Sequence, residues 1–347
     1  MNFKYLVGKQ FGNYKIKRKI GEGSFSTVFL VKEKMNDGSN SPKYLACKVI
    51  PRKANDGKNL PSNLENEISL DQLMHHNNIV QFYDIQRDDN FFYIFEEFVS
   101  QGELLNKILY KSMLTESEAA FFFKQILIGL RYIHSLNVAH RDLKPENILV
   151  GHNGTIKIAD FGLSKIFKDD GNCFTETPCG SLYYISPEVL SGRSYDSRKS
   201  DIWSCGVILY ALATSFLPWT RSSQSLLFEQ IKKGEFEIPF FLTFHCADLI
   251  KRFLTVDCDK RITIEEALNH PFLKKVELHD SKFNPSLSWS NKFDKFSDFD
   301  EDFEYNELFQ SLSKEIYESD SEINLDLINI RRRNLTHNWI TLKKCKK

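Results

Sequence analysis

Between residues 14 and 50 apolar and polar positions alternate with a period of two, broken at Gly21 and Gly23 and by the turn-rich run Asn36-Asp37-Gly38-Ser39-Asn40-Ser41-Pro42. Strand side chains alternate between faces, so this stretch predicts a run of antiparallel strands. Ser62-Asn63-Leu64-Glu65 has the form of a capping box, and Leu64, Ile68 and Met74 recur behind it at helical spacing. One helix is therefore predicted to interrupt the sheet before further strands at 79–85 and 91–98. From Thr115 onward the pattern turns helical. Thr115-Glu116-Ser117-Glu118 opens a second capping box, and Ala119, Phe122, Phe123, Ile126, Leu130 and Ile133 draw a wide apolar stripe on the helix that follows. The predicted fold class is α+β: a small antiparallel β lobe with one helix, then a larger, mainly helical lobe.

Residues 202–220 carry no charge for 19 positions, nearly the length of a membrane span. Ser200-Asp201 offers capping chemistry before them, Pro218 ends them, and Ser204, Cys205, Gly206, Thr214 and Ser215 suit a packed interior, so they predict the buried central helix of the larger lobe. At 347 residues the chain exceeds what one core organises, which agrees with two lobes. Its formal net charge of zero argues against bulk electrostatic attraction to nucleic acid or anionic membrane. Seven cysteines without a Cys-x-x-Cys pair, behind an N-terminus lacking a signal-peptide core, predict an intracellular setting, cytoplasmic or nuclear, and no structural zinc.

The densest chemistry lies in His140-Arg141-Asp142-Leu143-Lys144-Pro145-Glu146-Asn147, which joins a candidate base, a phosphate-facing lysine and a metal-binding amide in eight residues. Gly21-Glu22-Gly23-Ser24-Phe25-Ser26-Thr27-Val28 falls between two predicted strands, where glycines let backbone approach phosphates and Val28 covers an adenine base. Strand Tyr44-Leu45-Ala46-Cys47-Lys48-Val49-Ile50 puts Ala46 and Lys48 on one face, one against adenine and the other toward phosphates. Ile156-Lys157-Ile158-Ala159-Asp160-Phe161-Gly162 is an alternating strand ending in Asp-Phe-Gly. Asn153-Gly154 before it signals a tight hairpin that brings Asn147 and Asp160 together as metal ligands.

With these motifs in order, and with Glu67, Ser186-Pro187-Glu188 and Arg261, residues 14–273 resemble a eukaryotic protein kinase domain. The resemblance implies a small lobe at 14–97, a large lobe at 98–273 and an ATP cleft between them, flanked by an extension at 1–13 and a tail at 274–347. It implies phosphoryl transfer from ATP to protein substrates, with Mg2+ as the metal and Mn2+ as a substitute. Asp142 becomes the base, Asn147 and Asp160 the metal ligands, and Lys144, which marks the serine/threonine class, a γ-phosphate contact. Glu67 is the partner of Lys48 at the usual kinase interval, thirteen residues before Val80, while Glu65 serves the cap. Nucleotide contacts are expected from Ile20, Gly21, Glu22, Gly23, Ser24, Phe25, Ser26, Val28, Ala46, Lys48, Glu97, Val99, Glu103, Glu146 and Leu149. Glu188 and Arg261 form a structural ion pair.

Cys179-Gly180-Ser181-Leu182-Tyr183-Tyr184, Ser200-Asp201-Ile202-Trp203-Ser204-Cys205-Gly206-Val207 and Leu217-Pro218-Trp219 are similar to the calcium/calmodulin-dependent group and its AMP-activated-kinase-related branch. That resemblance implies an activating phosphate on Thr177, with Thr175 the lesser candidate, added by an upstream kinase and met by Arg141 and Lys165. It implies that Glu103 and Glu146 receive an arginine three residues before the phosphoacceptor. A second acidic position is Ala211 here, so one basic determinant is expected.

Three positions depart from the pattern. Ser186 replaces the usual alanine, Glu96 stands at the gatekeeper position beside the hinge, and Asp71 stands one turn after Glu67 where an apolar residue is usual. Either the small lobe is less tightly coupled here, or the register of these segments slips by one. The main rival function, a pseudokinase scaffold, typically lacks one of Lys48, Glu67, Asp142, Asn147 and Asp160, and all are present. The tail holds twelve acidic and two basic residues from Asp294 to Asp326, then seven basic and no acidic ones from Arg331 to Lys347, with helices expected near 304–317 and 325–342. Its basic end, with Trp339, Ile340 and Leu342, is read either as a segment that binds calmodulin or occupies the kinase's own cleft, or as a docking strap or disordered end.

Overall fold

A computed structural model describes residues 4–22, 26–34, 43–52, 63–110, 114–167, 173–177, 179–221 and 223–278. A six-stranded antiparallel sheet forms from β1 (Gln10–Phe11), β2 (Tyr14–Glu22), β3 (Thr27–Glu33), β4 (Lys43–Pro51), β5 (Phe82–Arg87) and β6 (Phe91–Glu97) in the order β1-β2-β3-β4-β6-β5, with α1 (Asn63–Leu73) between β4 and β5. On its outer face Ile16, Phe29, Val31, Leu45, Cys47, Val49, Tyr93 and Phe95 close over Leu6, which the N-terminal segment brings in. The turn-rich run 36–42 and the side chains of the capping box at 62–65 lie outside the described residues. The strand expected at 79–85 begins only at Phe82, because Val80 leaves the sheet and donates its N–H to the Ile158 carbonyl at 2.9 Å.

The larger lobe holds α2 (Leu104–Tyr110), α3 (Glu116–Ser135), β7 (Val138–Ala139), β8 (Ile148–Val150), β9 (Ile156–Ile158), β10 (Lys165–Ile166), β11 (Phe174–Thr175), β12 (Tyr195–Asp196), α4 (Ser197–Thr214), α5 (Gln224–Lys233), α6 (Phe244–Phe253), α7 (Ile264–Leu268) and α8 (Pro271–Lys274). Thr115 and Glu118 close the predicted capping box of α3 reciprocally. Three antiparallel strand pairs interrupt the mainly helical half: β8 with β9, at the predicted strand and hairpin, and β7 with β10 and β11 with β12, which were not expected. The strands of the two unexpected pairs are two residues long, too short for any periodicity to register. Asn153 and Gly154 both take the left-handed conformation (φ 57° and 72°), which makes the turn from β8 to β9 the predicted tight hairpin.

The central helix corrects its expected bounds. It starts at Ser197 with Asp196 as its cap and stops at Ser215, which is left-handed at φ 61°, three residues before Pro218. Ser200 and Asp201 therefore lie inside the helix. Its interior is sealed by the stacked rings of Trp203 and Trp219, 5.9 Å apart, and no helix of the described residues is long and apolar enough to cross a membrane.

Candidate active site

Two loops and one strand pair build the site from the large-lobe side. Val80 and Asn78 bridge to Ile158 on β9, while Ala159 donates its N–H to the Asn147 carbonyl at 2.9 Å, so Asn147 and Asp160 are held at neighbouring ends of one hairpin. The segment 140–142 is suspended from a buried carboxylate. Asp201 accepts the backbone N–H groups of His140 at 2.9 Å and Arg141 at 2.8 Å, and it meets the ring of His134 at 2.9 Å. Arg141 and Asp160 both take positive φ, 68° and 64°, a conformation that non-glycine residues hold only when surrounding contacts enforce it.

Asp142 is ringed by donors. Lys144 Nζ reaches Oδ2 at 2.6 Å, Ser181 Oγ reaches Oδ1 at 2.8 Å, and Asn147 Nδ2 lies 3.2 Å from Oδ2. Lys144 also donates to Ser181 Oγ at 2.8 Å. Gly180 is required for this approach: it takes φ 109°, and a Cβ there would sit 2.9 Å from the Arg141 carbonyl oxygen. The expectation from sequence used Ser181 only as a family signature, and Asp201 only as a helix cap and a family signature. Asp201 carried a legible signal, a lone charge at the head of an uncharged apolar run. For Ser181 no local signal existed, since its partner lies 39 positions away.

The small lobe supplies the opposite wall. Val28 pairs with Lys48 and Ala46 with Glu96 across the sheet, and the period of two puts Val28, Ala46, Lys48 and Glu96 on one face. Gly21 pairs with Val28, Ile20 and Glu22 flank it on β2, and Ser26 leads into β3, while Gly23, Ser24 and Phe25 lie outside the described residues. Lys48 Nζ meets Glu67 at 2.5 Å and Asp160 at 3.3 Å, which joins α1, the sheet and the large lobe through one ammonium. Burial alone would lower that ammonium's pKa, but Asp160, Glu67 and Glu96 outweigh it and hold it well above the ordinary lysine value.

Glu96 and Asp71 lie where the unslipped register puts them, and both are acids short of counter-charge. Burial, set against Lys48 and reinforced by Glu67 and Asp160, raises the Glu96 carboxyl to about 7. Asp71 is buried, and burial followed by the charges of Glu96 and Glu67 drives its carboxyl well above the usual range. Among the described residues none donates a hydrogen bond to Asp71.

The remaining predicted residues divide. Glu103 and Leu149 form an isolated bridge at the rim, and Val99 is buried. The side chain of Glu97 turns to Lys157 at 2.7 Å, which leaves only its backbone for the cleft. Glu146 is mostly buried, its carboxyl raised to about 7 by burial despite Lys144, and one oxygen has no hydrogen-bond partner. Glu188 and Arg261 make a bidentate pair at 2.6 and 2.9 Å, with the guanidinium 5.0 Å from the Trp203 ring centre. Ser186 fits beside it by donating to Ser200 Oγ at 3.0 Å.

Of the two activation-loop candidates, Thr177 is exposed and Thr175 is buried. Arg141 Nη2 donates to the Thr177 carbonyl at 3.2 Å, as does the Tyr195 hydroxyl at 3.0 Å. Lys165 approaches Thr175 at 3.5 Å, so it is set for the other threonine.

The donor set also suits a hard cation. Asp160 is half-exposed, and Lys48 is the main cause holding its carboxyl below the ordinary value, while the Asn147 amide nitrogen donates to Asp142 and leaves the amide oxygen available. Among the described residues no group of three or more His, Cys, Asp or Glu could hold a metal, so any ion here completes its shell from other oxygens.

Residues 14–273 match the family model of the protein kinase domain. The chain belongs to the protein kinase family. Curated relatives include the carbon catabolite-derepressing protein kinase of Candida glabrata, 37% identical over 90% of this chain and 51% of that protein. CBL-interacting protein kinase 8 of rice is 37% identical over 77% of this chain and 58% of its own length, and the probable serine/threonine-protein kinase MARK-A of Dictyostelium discoideum is 39% identical over 77% and 24%. These names bear out the serine/threonine class and the AMP-activated-kinase-related branch of the calcium/calmodulin-dependent group. The kinase family uses ATP and a divalent metal. The chain spans from about a quarter to about three fifths of the length of these relatives.

Proposed function

We propose that this protein transfers the γ-phosphoryl group of ATP to serine or threonine side chains of proteins, with Mg2+ as its metal and Mn2+ as a substitute. The observation that carries this reading is the convergence of two charge systems on one cleft: Lys48, Glu67 and Asp160 on one side, Asp142, Lys144, Ser181 and Asn147 on the other. Bound MgATP supplies the transferable group and its charge neutralisation. Asn147 and Asp160 hold the metal, Lys48 orients phosphate oxygens, and Glu67 fixes Lys48. Asp142 accepts the proton of the incoming hydroxyl, while Lys144 faces the charge that grows on the transferred group. Purified protein with labelled ATP, magnesium and a basic serine peptide tests this directly. Label on the peptide is expected, and no label on peptide or protein after loop phosphorylation overturns the reading.

The preferred substrates carry one basic residue three positions before the phosphoacceptor. The support is Glu146, a mostly buried carboxylate with one orphaned oxygen that a substrate guanidinium would satisfy, while the second position, Ala211, is buried and apolar. A peptide-library profile of the wild type and of Glu146→Ala checks it: the arginine preference fades in the variant, and an unchanged profile refutes the assignment.

Phosphorylation of Thr177 by an upstream kinase raises activity. Thr177 is exposed and its backbone carbonyl accepts from Arg141, which belongs to the same loop as Asp142, so a phosphate on Thr177 would draw the guanidinium and tie the activation segment to the base. Thr177→Ala is expected to remove activation by an upstream kinase while leaving basal turnover, and full activation of that variant would rule Thr177 out.

A further inference from the structure

Most aromatic rings of the large lobe are buried, but three within five positions are not. Phe240 is 100% exposed, Phe244 78% and Phe241 42%. They crown the connection between α5 and α6, which is pinned at both ends. Gln230 Nε2 donates to the Glu235 carbonyl at 2.9 Å, the Tyr210 hydroxyl donates to the Glu237 carbonyl at 3.0 Å, and the Phe236 ring packs edge-on against Tyr210 and Trp219. At the other end the Thr243 amide and hydroxyl both donate to the Glu116 carboxylate, at 2.7 and 2.6 Å, at the start of α3. The rings are thus a fixed apolar platform, and such a patch on a rigid support marks a surface meant to be covered.

What lies within reach is the chain's own continuation. Lys124, on the same helix as Glu116, donates to the carbonyls of Leu273 at 3.3 Å and Val276 at 2.6 Å, two residues before the described chain stops. Eight residues separate Glu116 from Lys124, so the exit and the platform are about 12 Å apart along α3. A second contact agrees: the His270 ring at the cap of α8 lies 6.3 Å from His245, whose ring is 5.6 Å from Phe244. Four extended residues cover about 13 Å. The first large apolar side chains after Leu278 are Phe283, Leu287 and Trp289, within the uncharged run Phe283-Asn284-Pro285-Ser286-Leu287-Ser288-Trp289.

We propose that residues 283–289 fold back along the large lobe and seat Phe283, Leu287 and Trp289 on Phe240, Phe241 and Phe244, as a strap from the end of the kinase domain to the α5–α6 corner. Trp289 reports on it. In full-length protein carrying Trp339→Phe, the difference spectrum against Trp289→Phe/Trp339→Phe isolates its emission from the buried Trp203 and Trp219. Blue-shifted emission and low acrylamide quenching are expected for Trp289. Phe240→Ser/Phe244→Ser should shift that emission to the red and raise its quenching constant several-fold, with peptide phosphorylation unchanged. In a separate measurement, Trp289→Ser should speed amide exchange across 240–244. Free quenching of Trp289 in the parent protein overturns the strap, and so does protection that survives Phe240→Ser/Phe244→Ser or amide exchange that ignores Trp289→Ser. Protection that grows with protein concentration alongside a doubled mass would assign the platform to a second copy, and binding of an added aromatic peptide with Trp289 fully exposed would assign it to a partner.

Discussion

The two walls of the cleft solve their electrostatics in opposite ways. On the large-lobe side, Glu146 apart, the acids around Asp142 are matched by donors: Asp142 by Lys144, Ser181 and Asn147, Asp201 by His140, Arg141 and His134, and Glu188 by Arg261. On the small-lobe side one ammonium, Lys48, contacts Glu67 and Asp160 and feels Glu96, while Asp71 has no described donor at all. On a balanced wall the donors hold each acid in place. An overloaded wall answers to anything that changes its proton count or its one cation.

The largest separation between the walls should appear in turnover. Asp142→Asn keeps the size of the side chain and one accepting oxygen for its donors but removes the carboxylate that would take the proton, so kcat should fall about 10²- to 10⁴-fold. The melting temperature should stay near that of the parent. Measured together by single-turnover assay and thermal unfolding, a variant retaining a tenth of the parental rate would remove Asp142 from the role of base.

Lys48→Met probes the other wall, where the expected damage is to stability as well as rate. Removing the ammonium leaves Glu67, Asp71, Glu96 and Asp160 facing one another without counter-charge. Deleting one partner of a buried pair costs about 3–5 kcal/mol. Denaturant titration should find a loss of that order, and Glu96→Gln or Asp71→Asn added to Lys48→Met should restore part of it. If Lys48→Met were as stable as the parent, the picture of an overloaded wall would fail.

The same wall predicts a pH dependence whose sign follows from Glu96. Its carboxyl rises from an ordinary 4.5 to about 7, chiefly by burial, so the folded protein binds this proton more tightly than the unfolded chain does. The stability it contributes is complete below about pH 4.5 and is lost as pH climbs through about 7, a difference on the order of 3 kcal/mol. Asp71, shifted in the same direction, adds to the slope. Glu96→Gln should flatten the curve between pH 5.5 and 8 and be the more stable protein at the upper end. Parallel curves for parent and variant would mean that Glu96 reaches water freely.

How much of this was readable in advance depends on the range over which each feature is written. The alternation around Ala46 and Lys48, the Asn153-Gly154 turn and the strand leading to Asp160 are local, and strand period and turn chemistry suffice for them. Glu96 and Asp71 were readable as anomalies of register, and their burial beside Lys48 turns the anomaly into a charge cluster. Asp201 was misread as a cap because capping is the common local use of such a residue at the edge of an apolar run. Its backbone partners lie 60 and 61 positions away. α2, seven residues long, is too short to show a period, and its neighbour Glu103 was singled out only through the family resemblance.

Ser181 offers the finest test of the contrast, because it belongs to the balanced wall and its loss should be absorbed there. Its hydroxyl donates to Asp142 and receives from Lys144, so Ser181→Ala removes one of three donors on Asp142 and one acceptor of Lys144. A hydrogen bond to a charged group contributes about 1.5–3 kcal/mol, and the two remaining donors keep Asp142 in place, so the fall in kcat should be about tenfold. The signature is where that loss appears. Since Ser181 touches Asp142 and Lys144 but no small-lobe residue among its described contacts, KM for ATP should hold while kcat falls, and Ser181→Thr should recover most of the rate. A change in KM for ATP with kcat intact would mean that the two walls are coupled through the activation segment, and the separation drawn between them would be wrong.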